Sequence, residues 1–253
     1  MENLAGWLPA ALGPAEALLL VALSGLTSMI TAALGIGGGV LLLAVMASML
    51  PVSALIPVHG LVQLGSNFNR ALMTCPHIDW VRVRPFAVGA LLGALVATLV
   101  LVQLPLTIIQ LSVAGFILYL LWGPGFGKGE LSRPGLLAMG VLTTLVSMFV
   151  GATGPLVAAW VHRLNAGKFS TVATFAACMS VQHLLKLAVF STLGFLFVEW
   201  LPLIVAMIGA GAVGTWAGLK LLDRMPPSWF RPLFRLIVTL LALRLIWQSV
   251  AAA

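Results

Sequence analysis

The chain has 253 residues, of which 61% are hydrophobic and 8% charged, with mean hydropathy +1.14 and net charge +7. So apolar a chain lacks the polar surface a soluble globule needs, whereas lipid requires none, and the composition predicts a polytopic membrane protein. The cations fall between apolar segments rather than on one basic face, which excludes nucleic acid as a partner and points to the lipid bilayer.

Every unpaired backbone group in hydrocarbon costs several kcal/mol, so the spans must be helices or closed barrels, and long apolar runs without alternation select helices. The N-terminal stretch carries Glu2 and Glu16 and no Lys or Arg before Arg70, so no cleaved signal peptide is expected and the first helix is retained. Apolar runs follow at 16–34, 38–50, 53–74, 85–103, 106–122, 135–152, 155–163, 170–195, 201–221 and 229–250. A crossing takes about 20 residues, so the second and seventh runs are too short. Each follows a glycine break, Gly35-Ile36-Gly37-Gly38-Gly39 or Gly151-Ala152-Thr153-Gly154-Pro155, and both read as half-helices or re-entrant segments. Cys75 and Cys178 stand in no paired motif and read as small hydrophobes. Several Trp, including Trp7, Trp80, Trp122, Trp200 and Trp229, fall near span ends, where interfacial anchors sit.

All Lys and Arg except Lys186 and Arg244 lie in 70–84, 128–133, 163–168 and 220–235. Placing these four regions in the cytoplasm leaves Glu2, Glu16, Pro51, Pro105 and Glu199 near outside connections, in accord with the positive-inside rule.

Ser28, Met29, Gly35, Val62 and Gln63 match Ser147, Met148, Gly154, Val181 and Gln182 without a gap, 119 residues apart. Corresponding loops carry opposite character: Pro51 answers Arg163 to Lys168, and Arg82 with Arg84 answers Glu199. The expected fold is therefore all-α and polytopic, with inverted-topology repeats at 1–125 and 126–253. Each repeat is a glycine-broken helical hairpin plus three transmembrane helices, giving ten segments with both termini outside.

Helix N-termini beginning in the glycine breaks present free N–H groups and partial positive charge, so Gly35, Gly37, Gly38, Gly39, Thr153 and Gly154 are candidate anion-binding positions. The pairs Gly89 with Gly93 and Gly214 with Gly218 suit helix packing instead. On the helix over 53–74, His59, Gln63, Asn67 and Arg70 share one face, joined obliquely by Ser66. On the helix over 170–195, Thr174, Cys178, Gln182 and Lys186 make the corresponding stripe, with His183 adjacent. Lys186 lies inside a span with no acidic partner in its sequence neighbourhood, as befits a residue lining a substrate route. In this register Lys186 answers Asn67. His59, His183 and Cys178 show no metal-site spacing, so no metal and no cofactor are expected.

The run Gly35-Ile36-Gly37-Gly38-Gly39-Val40-Leu41-Leu42-Leu43, with a polar helix ending in Ile78-Asp79-Trp80, resembles the sulfite exporter (TauE/SafE) family of membrane permeases. The second half has Gly-Ala-Thr-Gly-Pro where members often repeat a glycine run, and Pro57-Val58-His59-Gly60 replaces the family's Ala-Thr-Ser segment. The resemblance implies a small inorganic or organic sulfur oxyanion as substrate; the residues themselves say only anion.

The function expected is secondary transport, in the export direction, of sulfite or a related anion by alternating access at a midplane site, in a multi-pass protein of the cell inner membrane. Without a mid-membrane carboxylate, uniport driven by the membrane potential is the simplest course, with proton coupling through His59 or His183 left open. The alternatives are an anion channel and an intramembrane enzyme. An enzyme would need Ser66 with His59 or Ser180 with His183 as nucleophile and base, and no third group supports either pair.

Overall fold

The computed structural model describes residues 12–35, 37–100, 131–161 and 167–222, together with Pro9 and isolated positions within 115–122 and 239–247. The expected span over 106–122, most of that over 229–250, and Trp7 and Trp229 lie outside the described residues. Those described form eight α-helices and no strand: α1 Pro14–Leu34, α2 Gly38–Met46, α3 Val52–Met73, α4 Trp80–Val100, α5 Arg133–Val150, α6 Gly154–Val161, α7 Lys168–Thr192 and α8 Leu201–Leu221. Short 3₁₀ turns at Cys75–His77 and Phe197–Trp200 precede α4 and α8. All-helical architecture follows from the composition, and five of the helical segments are long and apolar enough to cross a membrane. The 22-residue α3 falls short of that hydropathy because of its polar stripe, and its polar residues are buried inside the bundle. At nine and eight residues, α2 and α6 rise only about 12–14 Å and cannot cross.

Glycines set which helices pair. Along the α1–α8 seam, Gly25 lies against Ala210, Gly214 against the Gly25 carbonyl, and Gly218 against Met29; Ser24 Oγ donates to the Met207 carbonyl at 2.9 Å. Along α4–α5, Gly89 packs on Leu137, Gly93 on Val141 and Gly140 on Phe86. Residue numbers rise together along both seams, so both pairs are parallel, and the absent side chains let backbones approach closely. By contrast α3 and α7 are antiparallel: Gly60 meets Lys186, while the Asp79 N–H, just beyond α3, donates to Thr174 Oγ1 at 3.1 Å.

The same contacts sort the charges. Leu50, Ala54 and Leu55 at the start of α3 pack with Trp200 and Leu203 at the start of α8, so Glu16 and Glu199 share one end of the bundle. The His77 and Phe169 rings lie 5.5 Å apart, which brings Arg82, Arg84 and Lys168 together at the other. Trp80 is exposed near that end as an interfacial anchor should be, whereas Trp200, read from sequence as an anchor, is buried in the core at 6% exposure. Lipid-facing surfaces carry Leu18, Leu99, Val205 and Val213.

Candidate functional site

Both long helices that lead into the breaks end the same way. Gly35 and Gly151 each adopt φ 82°, a left-handed cap that glycine adopts without a Cβ penalty, and their N–H groups donate to Thr31 and Ser147 carbonyls at 2.9 and 3.0 Å. These caps are 116 residues apart, as are the helix starts Gly38 and Gly154, and Val52 and Lys168. The equivalent of Gly35 is thus Gly151, not Gly154, and the 119-residue register of the sequence match is out by three. A slip of three residues is nearly one helical turn, so faces stay roughly aligned and the wrong register still looks plausible.

Between the two breaks lies a cavity of about 30 Å³, room for roughly two waters. It is lined by Thr31 from α1, by Gly37, Gly39 and Val40 at the first break, and by His59, Gln63 and Asn67 on α3. Ala152, Gly154 and Pro155 come from the second break, and Phe175, Met179 and His183 from α7. Counted from the starts of α3 and α7, the triplet His59, Gln63, Asn67 occupies the same positions as Phe175, Met179, His183. The first half therefore presents three polar side chains where the second presents two apolar ones and a histidine.

Gln63 is held for donation. Asn67 Nδ2 donates to the Gln63 carbonyl at 2.8 Å and to Gln63 Oε1 at 3.3 Å, which leaves the Gln63 NH₂ as the donor toward the cavity. Asn67 Oδ1 accepts in turn from Arg70 at 3.1 Å, and the second Arg70 nitrogen donates to Ser66 Oγ at 3.3 Å, itself 2.8 Å from Ser28 Oγ. Arg70 is 1% exposed, and this relay is how its charge reaches the cavity without lining it. His59 Nε2 donates to the Gly39 carbonyl at 2.9 Å and sits with its ring centroid 6.3 Å from that of His183.

Other residues singled out by sequence stand behind the cavity wall. Gly35 is a cap, and Gly38 is a packing position, since a Cβ there would strike the Thr27 carbonyl and Thr31 Oγ1. Gln182 is spent on structure: Nε2 donates to Thr143 and Thr144 hydroxyls at 2.7 and 3.0 Å, and Oε1 accepts from Thr153 at 3.3 Å. Gln63 and Gln182 are therefore not matching halves of one site. Lys186 Nζ donates to the Gly151 carbonyl at 2.7 Å, a cation at the C-terminal end of α5 where the helix dipole favours one. It occupies the same position on α7 as Arg70 on α3, so the cations match each other, and the pairing of Lys186 with Asn67 is corrected.

Sequence reasoning missed Thr31, Val40, Ala152, Pro155, Phe175 and Met179. The polar stripe Thr174, Cys178, Gln182 and Lys186 drew attention one residue away from the Phe175, Met179, His183 face, and apolar lining carries no polar signal. The candidate enzymatic pairs are not assembled: Ser180 Oγ donates to the Ala176 carbonyl at 2.7 Å, and Ser66 is engaged by Ser28 and Arg70.

No curated protein and no solved structure matches this chain. A family model does, that of the sulfite exporter TauE/SafE, over residues 20–245. With a match across most of its length and a bundle of membrane-spanning helices folded around two glycine breaks, the chain belongs to the sulfite exporter TauE/SafE family.

Proposed function

We propose that this protein is a secondary transporter that exports a small inorganic sulfur oxyanion, with sulfite the best fit, across the cell inner membrane. The observation that carries the reading is the small cavity midway along α3 and α7, set between two capped breaks and edged by donors. The Gln63 amide and the N-termini of α2 and α6 supply donors and partial positive charge for a pyramidal or tetrahedral oxyanion. Room for roughly two waters suits an inorganic ion better than an organosulfonate with a tail.

Arg70 lies toward the cation-rich end of α3, and Lys186 lies toward the opposite end on antiparallel α7. In this reading residues 1–125 and 126–253 are inverted repeats, Arg70 receives the anion from the cytoplasm, Lys186 passes it outward, and the repeats exchange conformations around the cavity. The inside-negative potential drives an anion outward by about 2.3 kcal/mol per charge per 100 mV.

Radiolabelled flux of sulfite, thiosulfate, sulfate and an alkylsulfonate in proteoliposomes tests this. Sulfite-sized ions should move and the alkylsulfonate should not, with flux lowered at least about tenfold in Gln63→Ala by the loss of one charge-assisted hydrogen bond, and lowered also in Lys186→Ala by the loss of the cation on the outward route. Unchanged flux in both variants would sink the site, and rates far above those of alternating access would favour a channel.

A further inference from the structure

We propose that one proton crosses with each anion, held by the basic cluster His59, His183 and Lys186 where α3 and α7 cross. The proposal rests on the transport reading and adds a second, co-transported ion to it.

Three titratable bases meet at this crossing. The aliphatic part of Lys186 packs on Gly60, so that a Cβ there would fall 2.6 Å from Lys186 Cδ, and the next residue, His59, faces His183 across 6.3 Å. All three are at most 1% exposed. Two of their nitrogens are unspent: His59 Nδ1 and His183 Nδ1 are buried without any hydrogen-bond partner. At His59 the chemistry is fixed further, because the Gly39 carbonyl can only accept and Nε2 must therefore carry the hydrogen. In the neutral ring Nδ1 is then a bare, buried acceptor on a residue that lines the cavity, and the ion proposed to sit there is itself all acceptors. A proton on Nδ1 resolves that conflict by converting the acceptor into a donor.

Among the described residues nothing else nearby could balance such a proton. Among the described residues, α1, α2, α5 and α6 place no titratable side chain against the cluster. On α3 the next is Arg70, three helical turns away and also a cation. On α7 Cys178 lies about one and a half turns from His183 and two from Lys186, and Asp79, which pairs with Arg82, donates its N–H to Thr174 Oγ1 about three turns from Lys186. Lys220, on α8, lies over the Trp216 ring instead, and Glu16 and Glu199 are exposed at the bundle end. The counter-charge must therefore arrive from outside, as the anion in the cavity, because buried charge is tolerated only when compensated. The anion enters, an imidazole Nδ1 takes a proton from the same side, and on departure of the anion the N–H bond breaks and the proton leaves after it. For a divalent oxyanion one negative charge still crosses, so the membrane potential still drives export.

The bond from His59 to the Gly39 carbonyl ties this proton to the first turn of α2, the element that must move if the break rearranges.

The test uses purified full-length protein in proteoliposomes, with the potential clamped at zero and a pH gradient of one unit imposed. Labelled thiosulfate and sulfate, whose oxygens hold no proton near neutral pH, are followed beside sulfite. One proton per anion predicts uphill accumulation approaching about tenfold on the alkaline side, while anion counterflow without a gradient continues. His59→Gln and His183→Gln should lower the accumulation toward unity relative to their own counterflow. Wild-type counterflow of thiosulfate or sulfate without pH-driven accumulation overturns the proposal. So does sulfite accumulation undiminished in both variants, which would put the proton on the anion rather than on the protein. Absence of counterflow for every anion overturns the transport reading beneath it.

Discussion

Gln63 and Gln182 show how a residue's neighbours set its job. Gln63 has its acceptor oxygen engaged by Asn67 and its NH₂ left for the cavity, while Gln182 has both ends committed to threonine hydroxyls of α5 and the second break. Gln63→Ala is expected to lower flux while leaving thermal stability nearly unchanged. Gln182→Ala should cost about 1–3 kcal/mol by stranding buried hydroxyls, visible as a lower melting temperature in detergent before any change in substrate preference. Adjacent glycines divide likewise. Gly38→Ala drives a methyl into the Thr27 carbonyl, a backbone atom that cannot yield, so folded yield should fall. Gly39→Ala meets only the Gln63 side chain, at 3.3 Å, and should fold normally with weakened transport. If melting temperatures of the two alanine variants coincided, the division between packing and binding glycines would be wrong.

At the scale of elements, the two breaks depend on the helices that hold them. The parallel seams α1–α8 and α4–α5 are closed by glycines whose missing side chains admit a neighbouring backbone, and each seam braces a helix that ends in a capped break. Gly93→Leu and Gly218→Leu should each force their seam apart at about 1–3 kcal/mol or more, read as loss of a monodisperse peak and a lower melting temperature. A leucine at Gly209, where no atom lies within 4 Å of the added Cβ, is the control and should be silent. Helix starts and ends were legible because glycine, proline and the end of an apolar run mark them locally: the run expected at 16–34 became Pro14–Leu34, and that at 201–221 became Leu201–Leu221. The face of α7 that borders the cavity was not legible. Phe175 and Met179 look like any lipid-facing or core residue until the partner helix is in place.

Across the whole molecule, the contacts that bring Arg82, Arg84 and Lys168 to one end and Glu16 and Glu199 to the other make a sidedness claim that the native cysteines can check. Cys75 is exposed at the cation-rich end, while Cys178 is buried. A membrane-impermeant maleimide should label Cys75 in inside-out vesicles and not in intact cells, and Cys178 should react only after unfolding; labelling of intact cells would reverse the orientation. The sequence by itself determined the membrane class, the helical segments within the described residues, the two glycine breaks and the family resemblance, because each is written in local composition and spacing. Only the tertiary structure decided the 116-residue correspondence, the match of Arg70 with Lys186, and the polar and apolar walls of one cavity. Those depend on which helix faces meet, and a three-residue slip along a helix changes the partners while hardly changing the pattern.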